Sequence, residues 1–138
     1  MKKLENQEPY YKAYMDPESF LRHYTLLYAG DYARMKHIAI LRLFPVSLKD
    51  KRILDVGCGG GFYSLFAARK GGFNIVLVDL ESVCVKAAKL NLFKNTGLNT
   101  KGVMASATKL PLRSKIFDFV LCIDLVEHIR SSQKSWRN

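Results

Sequence analysis

Arg52-Ile53-Leu54-Asp55-Val56-Gly57-Cys58-Gly59-Gly60-Gly61-Phe62 decides how this chain is read: an apolar strand breaks into a glycine turn and opens a helix. Glycine has no Cβ, so such a turn can take positive φ angles and let a ligand lie against bare backbone. N–H groups left exposed at the start of the following helix are able to hold a carboxylate or a phosphate.

Around this stretch the pattern alternates between short apolar strands and helices. Strands are expected at Arg52–Val56, Asn74–Asp79, Lys101–Met104 and Phe117–Cys122, with helices at Phe62–Lys70 and Ser82–Asn95. Runs such as Ile75-Val76-Leu77-Val78 are what a sheet covered on both faces requires, and the βαβ rhythm makes it parallel with right-handed crossovers. Upstream, Asp16-Pro17-Glu18 reads as an N-cap with proline in the first helical position. Phe20, Leu21, Tyr24, Leu27 and Tyr28 then recur at helical spacing, which predicts a helix to about Ala29 ended by Gly30. A second helix is expected from Asp31 to Phe44, carrying Met35, Ile38, Leu41 and Leu43 before Pro45 stops it. The expected organisation is an N-terminal helical attachment over 1–50, a ligand-binding domain over 51–130 and a polar tail over 131–138.

At 138 residues, 49% of them hydrophobic, the chain is long enough to bury a core and carries no long polar tract. Its net charge of +10 is uneven: residues 1–50 hold eight Lys/Arg against six Asp/Glu, and residues 51–138 hold fourteen against six. A basic excess of this kind admits RNA, anionic lipid headgroups or acidic metabolites as partners, and is also common in plain soluble proteins. Cys58, Cys84 and Cys122 are odd in number and widely spaced, so neither a disulfide framework nor a metal site is expected, and reduced thiols point to the cytoplasm. The N-terminus turns polar at once, and no segment reaches signal-peptide or membrane-spanning length.

The glycines fall at Gly57, Gly59 and Gly61, and Phe62 stands where a dinucleotide fingerprint would place its last glycine. Asp55, two residues before the first glycine, would repel a pyrophosphate and suits a ligand bearing an ammonium group. The segment Asp55-Val56-Gly57-Cys58-Gly59-Gly60-Gly61 resembles motif I of the class I S-adenosylmethionine (SAM) dependent methyltransferases, [DE]-x-G-x-G-x-G. Asp79, closing the second strand, is positioned to accept hydrogen bonds from ribose hydroxyls. The resemblance gives it that role for SAM; its plainer reading is a cap for the helix near Ser82, although Ser82 itself caps well.

Two further stretches carry the resemblance, to the type 11 (UbiE-like) methyltransferases. Ala105-Ser106-Ala107-Thr108-Lys109-Leu110-Pro111-Leu112 is similar to the family's G-D-A-x-x-L-P-F loop, with Ser106 in place of an aspartate that accepts from the adenine amino group. A serine hydroxyl can accept one bond, without the charge. Phe117-Asp118-Phe119-Val120-Leu121-Cys122-Ile123-Asp124-Leu125-Val126-Glu127-His128-Ile129 is similar to F-D-x-V-x-x-x-x-x-L-E-H-[IV], and its Cys122–Leu125 portion is expected to border the sulfonium. Asp124 and Glu127 equally form a capping-box pattern. The resemblance implies a Rossmann-like α/β sheet in the order 3-2-1-4 with two N-terminal helices, lacking the family's later strands. It implies a cofactor site drawn from Asp55, Gly57, Cys58, Gly59, Gly61, Asp79, Leu80, Ser106, Ala107 and Asp124.

No catalytic residue stands out, because methyl transfer from a sulfonium needs a base only where the acceptor is protonated. His128 is the one candidate base or substrate contact, and a histidine early in a helix is more often structural. Tyr24, Tyr28 and Tyr32 either fold over the ligand or pack inward, the inward reading being preferred for Tyr24 and Tyr28. His23 and His37 are left without a role. The implied function is a SAM-dependent methyltransferase acting on a small molecule, with RNA admitted by the charge. The alternatives are a non-catalytic SAM-binding or assembly module, a truncated fragment or half that pairs with another copy or chain across the open sheet edge, and, less favoured, an NAD-dependent oxidoreductase.

Overall fold

The computed structural model describes residues 16–27 and 29–125. Helix α1 (Pro17–Leu27) begins as its cap residue dictates: Asp16 Oδ2 accepts the Ser19 backbone N–H at 3.0 Å and the Ser19 hydroxyl at 2.8 Å. Gly30 does not end this helix in a left-handed turn. With φ −72° and ψ 156° it is the extended N-cap of α2 (Asp31–Leu41). That helix stops three residues short of Phe44, and two tight turns then carry Phe44 into the core, where its ring meets Phe66 and Phe119 edge-on. Of Met35, Ile38, Leu41 and Leu43, which carry the apolar spacing, Leu41 packs against the core and the other three are exposed; the fully buried residue of α2 is His37.

The sheet is built from β1 (Arg52–Val56), β2 (Asn74–Asp79), β3 (Lys101–Met104) and β4 (Phe119–Leu121), all parallel in the order β3-β2-β1-β4. The fourth strand is shorter than its apolar run, because pairing reaches only Ile53↔Phe119 to Asp55↔Leu121. The crossover helices α3 (Phe62–Arg69) and α4 (Ser82–Thr96) lie over one face with Phe44 and Leu48. Ile53, Leu77 and Leu92 are wholly enclosed there, each such side chain being worth about 1.5–3 kcal/mol. The other face is covered too, as the apolar runs require, but by irregular chain: Leu54, Val56 and Val78 pack under the segment Ala105–Phe117, whose Leu110, Leu112 and Phe117 are the cover.

Chain direction fixes where a ligand can go. The path runs outward from β1 through β2 to β3 and then returns to β4 on the other side of β1. The carboxyl ends of β1 and β4 therefore diverge in their connections, which opens a crevice in sheets of this kind.

Candidate functional site

The turn after β1 is held from three directions. Gly57 and Cys58 both donate their N–H groups to the Val78 carbonyl, at 2.8 and 3.0 Å, and Gly61 N–H closes on Cys58 O at 2.8 Å. Asp79 Oδ2 accepts Gly59 N–H at 3.0 Å while Oδ1 accepts Glu81 N–H at 3.0 Å. From α4, Asn91 Nδ2 reaches the Gly60 carbonyl at 2.9 Å. Four of the turn's N–H groups, those of Gly57, Cys58, Gly59 and Gly61, are thus consumed internally.

Glycine is required here by contact as well as by φ. At Gly61, φ 77°, a Cβ would lie 2.9 Å from Ala88 Cβ, where α3 and α4 meet; at Gly60 it would lie 2.5 Å from Tyr24 Cδ1. The Tyr24 ring therefore rests directly on the turn, stacked on Phe20 of the same helix. The inward reading of Tyr24 gives way to one in which α1 roofs the glycine turn. Tyr32 is exposed, away from it.

Two cavities open at the carboxyl ends of the strands and share Gly57 and Asp124. The larger, about 520 Å³, is lined by Asp79, Leu80, Ser106, Ala107 and Leu125 among others. Its size is that of an ordinary small-molecule site. The smaller, about 180 Å³, is lined by Asp55, Cys58, Gly59, Tyr24, Tyr63 and Ile123. Of the ten residues expected at the site, nine line one cavity or the other; Gly61 sits behind the turn as a packing residue. Cys122, expected at the border with Ile123, Asp124 and Leu125, is exposed and lines neither.

Asp55 is only 5% exposed, and its Oδ2 accepts the hydroxyl of fully buried Ser64 at 2.6 Å. Burial pushes its carboxyl up to about 7; the Ser64 bond opposes that rise, and the negative charge of Asp79 adds to it. Ser106 spends its hydroxyl on the loop, paired with Thr108 Oγ1 at 2.8 Å and accepting Thr108 N–H at 3.3 Å. Ser82 is not the cap of α4: Glu81, extended, holds that position without a side-chain bond, and the Asp79 carboxylate organises the approach. Burial pushes the thiols of Cys58 and Cys84 up, the latter to about 12, which leaves both inert as nucleophiles near neutral pH.

Asp124 departs from the capping-box reading. Its φ of 56° is left-handed rather than the extended conformation of an N-cap, and its carboxylate pairs with Lys36 from α2. Beside Lys36, His37 Nδ1 lies 2.6 Å from the Tyr63 hydroxyl, the imidazole packed on Phe62 with ring centroids 4.5 Å apart. Burial, then the Lys36 charge, lowers the His37 pKa and keeps it neutral. Lys36, His37 and Tyr63 escaped the sequence reading because their partnership spans 26 to 88 residues and follows no local spacing. Tyr28, Glu127 and His128, with the tail 131–138, lie outside the described residues.

A family model described as "Methyltransferase domain" matches residues 53–137, well over half of the chain. An uncharacterized protein of Methanocaldococcus jannaschii is 33% identical over 116 residues, covering 83% of this chain and 46% of that one. A ubiquinone biosynthesis O-methyltransferase of Rickettsia prowazekii is 35% identical over 83 residues, covering 60% of this chain and 32% of its own length. The crystal structure of a SAM-dependent methyltransferase from Mesorhizobium loti superposes with a TM-score of 0.50 at 25% identity, covering 59% of this chain and 37% of that one. The chain thus spans less than half the length of these similar proteins.

Proposed function

This chain belongs to the methyltransferase domain family, and from that premise we propose that it is the SAM-binding part of an enzyme that methylates a small-molecule acceptor. The observation that carries the reading is the pair of joined cavities with a carboxylate in each: Asp79 in the larger, Asp55 in the smaller, Gly57 and Asp124 between them. That division fits a molecule with a nucleoside at one end and an amino-acid group at the other.

In this reading Asp79 takes the ribose hydroxyls, and Leu80, Ser106 and Ala107 form the wall against the base. Asp55, at the head of a turn made of Gly57, Cys58 and Gly59, faces the ammonium group, with Tyr24 and Tyr63 closing the same cavity. When bound, SAM supplies a methyl group on a positively charged sulfur, which leaves as a neutral thioether and needs no protein acid. The residues present then have three tasks: to align the donor, to exclude water, and to leave one mouth open for the acceptor. Relatives named as ubiquinone biosynthesis O-methyltransferases support a small acceptor over a polymer. No helix of the described residues is long and apolar enough to cross a membrane, and three cysteines without disulfides accord with a cytoplasmic setting.

Calorimetric titration of the chain with SAM, and separately with NADH, tests the proposal. Saturable binding of SAM alone is expected. Binding of NADH with no heat from SAM overturns the assignment, and tight SAM binding with no labelled methyl transferred to any small acceptor moves it to a non-catalytic module.

A further inference from the structure

Two loops lie side by side at the end of the sheet opposite the cavities. One follows α2 and leads into β1; the other joins α3 to β2. Leu48 N–H donates to Lys70 O at 2.9 Å, and Lys49 Cα lies 3.7 Å from where a Cβ on Gly71 would be, so the two run in contact. From this paired surface three large apolar side chains project into solvent: Leu43 is 81% exposed, Val46 94% and Phe73 66%. An exposed valine or leucine alone means little, but three on two abutting loops form a patch.

The charge around them is mostly of one sign. Arg42, Lys49, Lys51, Arg69 and Lys70 flank the apolar tips; the carboxylates near them are Asp50 and Asp118, the latter held by Arg52. None of the five cations takes part in an ion pair among the described residues, whose three pairs are Lys36–Asp124, Arg52–Asp118 and Lys94–Glu18. Leu48 between them is fully buried, so the loops are anchored and the tips held outward.

We propose that this end of the molecule docks on an anionic lipid surface, the apolar tips entering the headgroup boundary and the surrounding lysines and arginines meeting lipid phosphates. Charge complementarity selects this occupant. A second copy would bring the same five cations and a net charge of +10 against them. A nucleic-acid backbone would satisfy the cations and give three aliphatic and aromatic tips nothing apolar to enter. Lipid offers both, attraction of each basic residue to an anionic surface and burial of the tips. Because the cavities sit at the carboxyl ends of the strands, docking leaves the cofactor crevice turned toward solvent; the proposal stands independently of what that crevice binds.

Co-sedimentation with vesicles tests it, using phosphatidylcholine alone and phosphatidylcholine with about 30% phosphatidylglycerol. The chain is expected to pellet with the anionic vesicles only, and less as salt rises. Val46→Ser/Phe73→Ser and Lys49→Glu/Lys70→Glu are each expected to weaken partitioning by about ten-fold or more. Lys86→Glu/Arg113→Glu, the same charge change at exposed positions elsewhere, is expected to leave most of it. Circular dichroism melts matching the parent establish that each variant is folded. Equal binding to neutral and anionic vesicles, no binding to either, or loop variants that partition like the parent overturns the proposal. So does an RNA mobility shift dependent on Lys49 and Lys70 without vesicle binding, or a self-association that the Val46→Ser/Phe73→Ser variant abolishes.

Discussion

Replacing Asp55 by asparagine is expected to make the protein more stable at neutral pH and worse at binding its ligand. The Asp55 carboxyl is pushed from 3.8 up to about 7. A carboxylate raised on folding binds more protons in the native state than in the unfolded chain, so stability is lost as pH climbs from about 4 to about 7 and is level above. Three units at about 1.4 kcal/mol each put the loss near 4 kcal/mol. Asparagine keeps an acceptor for the Ser64 hydroxyl but introduces an amide N–H₂ whose burial costs about 1–3 kcal/mol without a partner. That cost is independent of pH and cancels in a comparison. The difference in unfolding free energy between variant and parent should therefore rise by about 4 kcal/mol from pH 4 to pH 8. Urea titrations followed by circular dichroism across that range measure it. His37, whose pKa is lowered, contributes a slope of the opposite sign below its ordinary value, but equally in both proteins. A difference that stays flat with pH refutes the electrostatic account. A variant that gains stability and still binds SAM as the parent does removes Asp55 from the ammonium while leaving that account intact.

Gly61→Ala should destabilise by about 2–4 kcal/mol, against about 1 kcal/mol for Gly97→Ala. Both have φ above 70°, but only Gly61 has a neighbour, Ala88, in the way of a Cβ; equal losses in urea titrations would mean that the α3–α4 contact gives way. Asp79→Asn should weaken SAM binding by about 1–3 kcal/mol by calorimetry, and an unchanged constant would remove it from the ribose. Tyr63→Phe should weaken SAM by about 1 kcal/mol and leave 5′-methylthioadenosine, which lacks the amino-acid group, unaffected; equal losses for both would place Tyr63 in a purely structural role. Asp118 is held down to about 2, first by the Arg52 guanidinium hydrogen bond, so its stabilising pairing is present above 3.8 and lost as pH falls through about 2. Arg52→Ala should return its carboxyl signal, followed by nuclear magnetic resonance, toward the ordinary range, and no movement would refute the pairing.

What the sequence made legible was whatever depends on residues near one another in the chain. β1, β2 and β3 fall on the bounds read from the sequence, because short runs flanked by turn formers leave little room for another period. The sheet order came from the motif resemblance rather than from spacing. Boundaries governed by partners were less legible. β4 is trimmed to the three residues that β1 can pair, and α2 ends early because Phe44 gains more from the rings of Phe66 and Phe119 than from another helical turn. The inner face of α2 was legible only in part, for a related reason. Of the apolar period Met35, Ile38, Leu41 and Leu43, Leu41 meets the core, while His37 is turned inward because Tyr63 and Phe62 offer it a hydrogen bond and a ring to pack on. Among the site residues, those on the turn and strand ends were readable from the glycines and acids. The contributions of α1 and α2, Tyr24 over Gly60 and Lys36 on Asp124, arise only once the helices fold back over the sheet.

In the proposed reading, Asp55 and Asp79 select the ligand by charge more sharply than the shape of the crevice does. Asp79 keeps both carboxylate oxygens on backbone N–H groups, and its charge is one of the causes that hold the Asp55 carboxyl near 7. A diphosphate placed against the turn would meet N–H groups already committed to Val78, Cys58 and Asp79, and would push Asp55 further toward its neutral form. A ligand with an ammonium group does the reverse, since it ionises Asp55 and recovers part of the free energy that burying the carboxylate costs. Ligand affinity should then fall as pH drops below about 7, with about half a proton released per SAM bound at pH 7 and close to one as pH falls toward 6. The demethylated product retains the ammonium and loses only the sulfonium charge, so it should show the same proton release. Calorimetry in buffers of different ionisation enthalpy reads that number directly: equal release for SAM and its product ties the pH dependence to the amino-acid end, whereas release by SAM alone would move Asp55's influence to the sulfur.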